Sequence, residues 1–252
     1  MAFIGLTAIV VMGCQPVSSS VKNKSFTIDS VMKSDLHILV EIHQRQTLGY
    51  LRTLTEKLYR RNPRQLRKVA GATIEGRVAE LFSSRLSEQR PDAAPGRLFS
   101  QPSGQPASQS DELDRTLEDT SGVKLLSQAF DESYQGDRVL ALMAGMRNMV
   151  MAAYNNQTKF FYLDSPLDPQ KFHNSARNVE IVIWRLSHER RSDGQAWLLS
   201  NALGPEVNLS YERLFGKLIG QLDMMALMVA QQRNIQIKNL MTSVASVVFL
   251  PV

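Results

Sequence analysis

The stretch that decides the fold is residues 33–61, KSDLHILVEIHQRQTLGYLRTLTEKLYRR. Apolar and other buriable side chains recur in it at three- and four-residue spacing, which is the period of an amphipathic α-helix. The members of this stripe are Leu36, Leu39, Val40, His43, Thr47, Tyr50, Leu51, Leu54 and Leu58. The pattern predicts one long helix with one buried face. On such a face, His43 is expected to be a hydrogen-bonded core histidine rather than a metal ligand.

Asn62-Pro63 predicts the end of this helix, because a proline pushes the residue before it out of the helical region. The same pair predicts a new start, with Asn62 as N-cap and Pro63 at the first helical position. Asp137 and the Asp168-Pro169 pair predict two further starts. The remaining chain gives helices at about 63–70, 73–88, 122–131, 137–156, 169–189, 209–232 and 235–249.

No alternating strand pattern accompanies these helices, so we predict an all-α fold, an irregular bundle of roughly seven helices with a long disordered loop. The loop is residues 91–120, which are rich in Pro, Gly, Ser and Gln and cannot bury enough surface to offset their ordering entropy. It separates N-terminal helices in 33–90 from a C-terminal helical part in 121–252, which we expect to form one domain together. Gly216 and Gly220 have a spacing that predicts a close helix–helix approach.

The composition is that of an ordinary globular protein, with 43% hydrophobic and 21% charged residues and a net charge of +5. Residues 2–12 are uncharged; they are too short to span a bilayer but long enough for the apolar region of a signal peptide. They run into Val11-Met12-Gly13-Cys14, and Cys14 is the single cysteine of the chain. This stretch resembles the lipobox of bacterial lipoproteins, in which an apolar run is followed by small residues and a cysteine.

The resemblance implies that residues 1–13 are a lipoprotein signal peptide and that Cys14 becomes the lipid-modified first residue of the mature protein. Residues 14–32, which turn polar at once, would be the tether. Gln15, where an inner-membrane lipoprotein commonly has aspartate, implies the outer membrane, facing the periplasm. The alternative interpretation is a buried N-terminal helix with an unmodified cysteine. The body of the chain resembles helical proteobacterial envelope lipoproteins that have no assigned activity.

The strongest charge cluster surrounds the Asn62-Pro63 joint, and we call it the basic joint. Its members are Lys57, Arg60, Arg61, Arg64, Arg67 and Lys68, with no acid among residues 57–68. Guanidinium groups near a helix start favour anions. In an exported protein the partner would be a lipid phosphate, a lipopolysaccharide phosphate, a cell-wall carboxylate or a protein; export argues against nucleic acid. The alternative is a solvated face paired with the acidic segment 111–119 or with acids elsewhere.

Motifs of catalysis are not found in the sequence. The four histidines have no zinc-ligand spacing, and there is no nucleophile elbow or phosphate-cradling glycine loop. Asp164 and Asp168 flank a proline turn and are interpreted as turn and N-cap residues. We therefore predict a lipid-anchored periplasmic binding or scaffold protein without catalysis, metal or cofactor. The alternative is an envelope hydrolase or transferase whose site is not a recognisable motif.

Overall fold

The computed structural model describes residues 33–82, 121–203, 207–234 and 248–252, all of which lie within the unit Lys33–Val252. Several predictions fall outside the described residues. They are the lipobox with Cys14, the tether, the loop 91–120 with its acidic segment, and most of the predicted helix 235–249.

Seven helices form in the described residues, and the all-α prediction is confirmed for them. They are α1 (Asp35–Arg61), α2 (Pro63–Leu66), α3 (Ile74–Phe82), α4 (Gly122–Ala129), α5 (Arg138–Ala153), α6 (Pro169–His188) and α7 (Ser210–Arg233). Within the predicted loop before α7, β1 (Ala202–Leu203) pairs antiparallel with β2 (Val207–Asn208), in the register Ala202 to Asn208 and Leu203 to Val207. None of the helices that the structure describes combines the length and the apolar character needed to cross a membrane.

The first helix follows the predicted stripe over most of its length. Ser34 caps it, with its hydroxyl accepting from the backbone N–H of His37, and Leu51, Leu54 and Leu58 are fully buried. Leu39 is an exception at 44% exposure. The burial of α1 depends on α3, α5 and α7, which all contact it.

The centre of the core is α5, which is buried around most of its circumference and contacts α1, α4 and α6. Asp137 caps it as predicted, accepting from the backbone N–H groups of Val139 and Leu140 at 3.0 and 3.1 Å. The N-cap at Asp168 is also confirmed, with its carboxylate accepting from Gln170 N–H at 2.9 Å. A short polar side chain before a helix satisfies N–H groups that have no partner inside the helix.

The close helix approach lies elsewhere than predicted. A Cβ added at Gly216 or Gly220 would meet nothing within 4 Å, so that pair makes no close contact in the described residues. Helices α4 and α5 approach closely instead: a Cβ at Gly145 would lie 2.8 Å from Leu126 N and 2.9 Å from Gly122 O. Spacing alone cannot identify such a contact, because it does not say which helix is the neighbour.

Two helix ends also differ from the prediction. The helix after Pro63 stops at Leu66, and the residues predicted to continue it, 67–70, are exposed and give it no face to bury. Residues 248 and 249, which the prediction places at the end of a helix over 235–249, have no regular secondary structure, and neither have 250–252. These last residues are held by side chains of α6, as described below.

Candidate anion-binding site

The basic joint is held in place by one amide side chain, that of Asn62. Its Nδ2 donates to Leu58 O at 2.9 Å and to Leu199 O at 2.8 Å, and its Oδ1 accepts from Leu199 N–H at 2.7 Å. Asn62 stands at the N-cap position of α2 and Pro63 follows as the first helical residue, as predicted, but the Asn62 side chain makes no capping hydrogen bond. The buried amide instead fastens the loop before β1 to the end of α1.

This fastening places a shallow cavity of about 270 Å³ beside the last turn of α1. The cavity is lined by Lys57, Arg60, Arg61, Ser200, Asn208 and Tyr211. Half of these lining residues are cations, and among the residues that the structure describes no acidic one lines the cavity. Ser200 and Asn208 add a hydroxyl and an amide, so the cavity can offer several donors to an anion.

Lys57 is fixed against the start of α7. Its ammonium donates to Ser210 Oγ at 2.7 Å and lies 4.9 Å from the centre of the Tyr211 ring. The Tyr211 hydroxyl donates to Lys57 O at 2.8 Å, and burial raises the pKa of Tyr211. Leu209, at the N-cap position of α7, makes no side-chain capping bond, while the Ser210 N–H donates to Asn208 Oδ1 at 3.0 Å. Since Asn208 and Tyr211 line the cavity, the positive end of the α7 dipole adjoins it.

The positive charges of the two cavity arginines are only weakly compensated by nearby carboxylates. Arg60 lies 4.0 Å from the carboxylate of Glu56, which is shared with Arg52 at 3.8 Å. These are exposed i,i+4 pairs, and such pairs contribute little. Arg61 is exposed and makes no ion pair with any of the residues that the structure describes. The cavity thus carries net positive charge from side chains that face water.

The other half of the basic joint points away from this cavity. Arg64 and Arg67 are exposed and do not line it, while Lys68 donates to Gly136 O at 2.7 Å. Partial burial lowers the pKa of Lys68. Of the six predicted contact residues, the structure brings together Lys57, Arg60 and Arg61. Of the predicted alternative, pairing with the acidic segment 111–119 lies outside the described residues, whereas pairing with an acid elsewhere is present for Arg60, which lies 4.0 Å from Glu56.

His43 is the core histidine that the sequence predicts. It is 8% exposed, and its Nε2 lies 2.8 Å from Gln221 O while its Nδ1 lies 2.6 Å from the Tyr154 hydroxyl. Since the carbonyl can only accept, Nε2 carries the proton and Nδ1 accepts from Tyr154. Burial lowers the pKa of His43. Across the described ranges, no three His, Cys, Asp or Glu side chains lie close enough to hold a metal ion.

A second cavity, of about 250 Å³, lies at the start of α1 and includes Ser34, His37 and Asp164 in its lining. These residue types suit hydrolysis, but each is used locally. His37 Nδ1 lies 3.0 Å from Ser34 Oγ and accepts from the Ser34 backbone N–H at 3.1 Å, which completes a capping box. Asp164 accepts from Phe161 N–H at 2.7 Å and holds the turn, as predicted.

Ser200, Asn208 and Tyr211 are the cavity residues that sequence reasoning missed. They lie far along the chain from α1, and no local pattern marks them. A comparison of the chain with family models, curated proteins and solved structures finds no match. The basis for a function is therefore the chemistry of the residues themselves.

Proposed function

We propose that this chain is a lipid-anchored binding protein of a bacterial envelope, which holds a phosphate-bearing component at the cavity lined by Lys57, Arg60 and Arg61. The observation that carries the proposal is the lining of this cavity, which has three cations and, within the described part of the chain, no carboxylate. The anchor is Cys14, proposed from the lipobox pattern. The localisation that goes with it is the periplasmic face of the outer membrane.

The charge arrangement supports phosphate as the ligand group. Arginine offers a planar fork of N–H donors that matches phosphate oxygens, and lysine adds a compact charge. Here Lys57 is held in place by Ser210 and Tyr211, so little conformational freedom is left for it to lose on binding. The start of α7 adds a partial positive charge on the same side. Arg60 and Arg61 add exposed positive charge beside the fixed ammonium of Lys57.

The lining also favours binding over the alternative of a hydrolase or transferase. General acid–base chemistry needs a titratable group near the operating pH beside the reacting atoms. Among the residues described by the structure, no histidine or carboxylate lines the cavity at the joint. We therefore expect the ligand to be held without being changed.

The test of binding uses two double variants. Arg60→Gln with Arg61→Gln removes two charges at the cavity, and Arg45→Gln with Lys124→Gln removes two exposed charges elsewhere, on α1 and α4. The probes are vesicles containing phosphatidylglycerol, and purified lipopolysaccharide. At about 1 kcal/mol per cation near an anionic surface, the cavity variant should bind roughly thirtyfold more weakly than the parent.

The salt dependence of binding and the control variant distinguish a specific site from a general charge effect. The affinity of the parent should fall as salt rises, because exposed charges act over about 8 Å at physiological ionic strength. The control variant should lose clearly less affinity than the cavity variant. Equal losses in both variants would reveal a general charge effect and no site. Competition by inorganic phosphate but not by acetate should identify the group that is bound.

The anchor is tested separately by Cys14→Ser. We expect the variant to remain unprocessed or to leave the membrane fraction, because one hydroxyl in place of the thiol removes the acyl attachment point. A serine variant that still fractionates as a mature, lipidated species would contradict the anchor. That outcome would leave the binding test intact, since the cavity lies within the unit Lys33–Val252.

A further inference from the structure

The segment Val248-Phe249-Leu250-Pro251-Val252, which we call the strap, is held by side chains of α6 rather than by regular secondary structure. Asn178 is fully buried and makes two bonds to one strap residue: its Nδ2 donates to Leu250 O at 2.8 Å, and its Oδ1 accepts from Leu250 N–H at 2.6 Å. Asn174, one helical turn earlier, donates to Pro251 O at 2.8 Å. Both side-chain amides therefore form hydrogen bonds with main-chain atoms of the strap.

The amide of Asn174 is itself oriented by its helix. Gln170 Nε2 donates to Asn174 Oδ1 at 2.9 Å, so the Nδ2 group of Asn174 is turned toward the strap. Residues 170, 174 and 178 follow at four-residue steps and therefore lie on one helix face. Only the carbonyl of Pro251 is used, which suits a residue that has no N–H. Two amides of this row thus form hydrogen bonds with the main chain of two successive strap residues.

The strap is also held by one buried side chain, the ring of Phe249, which is 6% exposed. Its centre lies 6.5 Å from that of Phe130, and the Arg185 guanidinium carbon lies 4.8 Å from it. The same guanidinium lies 5.1 Å from the Phe130 ring, so one cation contacts both rings. Arg185 is seven residues after Asn178 and lies on the same side of α6. The surface under the strap, which we call the groove, therefore combines an aromatic pocket with amide side chains that bond to the main chain of the strap.

We propose that this groove is a peptide-binding site, for which the strap is an internal ligand, and that it accepts in exchange an extended partner peptide of the form aromatic–aliphatic–proline. Recognition through main-chain atoms tolerates different sequences, while one pocket selects the aromatic residue. The strap defines the chemistry of the ligand, because its residues already satisfy both amides and the pocket. A tethered segment has a high effective concentration, so the partner peptide binds strongly only when the strap is weakened.

The test uses the full chain with Phe249→Ala, which weakens the strap, and a fluorescent peptide, acetyl-VFLPV-amide. We expect the variant to bind the peptide at least about tenfold more tightly than the parent chain. Two control peptides remove one contact each without touching the protein. Replacing the phenylalanine with alanine removes the ring, and N-methylation of the leucine removes the donor to Asn178. Each should bind at least about tenfold more weakly.

The parent chain provides a measurement that does not depend on a variant. The Leu250 amide should be protected from hydrogen exchange, and excess isotope-labelled peptide should abolish that protection by displacing the strap. A folded Phe249→Ala chain that shows no saturable peptide binding, or a Leu250 amide that exchanges freely in the parent, would overturn the proposal. A concentration-dependent dimer that is lost in Asn178→Ala would assign the groove to a second copy and overturn the partner peptide.

Discussion

Arg138 and Arg61 carry the same guanidinium group in opposite surroundings. Arg138 is 4% exposed and donates to Ala129 O, Asp131 O and Tyr134 O at 2.7–2.9 Å, with the Trp197 ring 5.0 Å away. Arg61 is exposed beside the cavity of the basic joint. The comparison teaches that charge alone does not predict a role. A buried guanidinium that donates to three backbone carbonyls stabilises the fold, and one that faces water is available to a ligand.

The largest effect is expected from Arg138→Gln. The shorter amide cannot reach three carbonyls, so buried acceptors lose their donors at a cost of about 3–5 kcal/mol of unfolding free energy. The same change at Arg61 should alter stability by less than about 0.5 kcal/mol. Urea denaturation of both variants provides the measurement. Similar midpoints for the two variants would remove the distinction between the two regions.

Gly145→Ala tests the packing of the interior around α5. The added Cβ would lie within 3.0 Å of backbone atoms of α4, and backbone cannot move as a flexible side chain does. We expect a loss of about 2–3 kcal/mol. Gly216→Ala, in open space on α7, should instead add about 0.5–1 kcal/mol because alanine favours the helix. Thermal unfolding should move in opposite directions for the two variants, and a loss in both would contradict the assigned contact.

The interior should also respond to pH through His43. Burial lowers its pKa in the folded state, so below the unfolded value of 6.5 the unfolded chain binds more protons. Stability should therefore fall as the pH drops from about 7 to 5, by at most about 1.4 kcal/mol per pH unit for this one group. His43→Gln should flatten this dependence, while His188→Gln, at an exposed position, should retain it. Matching slopes in the parent and His43→Gln would contradict this assignment.

The smallest effect on stability is expected at the basic joint. Arg60→Gln with Arg61→Gln breaks only an exposed pair at 4.0 Å, so the unfolding free energy should stay within about 0.5 kcal/mol of the parent. Removing two cations that repel each other offsets part of the stability lost with the ion pair. Equilibrium unfolding at low and high salt measures the change in unfolding free energy. A large destabilisation would show that these arginines are structural, as Arg138 is, and that the cavity is not their main role.

Local physics explains which helices could be predicted. The caps at Asp137 and Asp168 and the end of α1 before Pro63 depend on residues a few positions apart, and the structure confirms them. The apolar stripe of α1 is likewise a property of one helix, and it placed His43 in the core. Leu39 departs from the stripe because burial also needs a neighbour over that position.

The candidate site could be predicted only in part. Clustering of cations in residues 57–68 is visible in the sequence, but the division between Arg61 at the cavity and Lys68 at Gly136 depends on where other elements lie. Tyr211 enters the site because α7 begins beside α1. No pattern within the α7 sequence carries that information.

The sequence by itself determined the helical class, the main helix starts and the charge of the joint, because these follow from side chains within one or two turns. Tertiary structure decided which partners those elements meet. It gave the Asn62 side chain Leu199 as its partner, placed the close helix contact at Gly145 rather than at Gly216, and brought Asn178 against Leu250. Such contacts join residues distant in the chain, and their energies depend on a geometry that local periodicity does not encode.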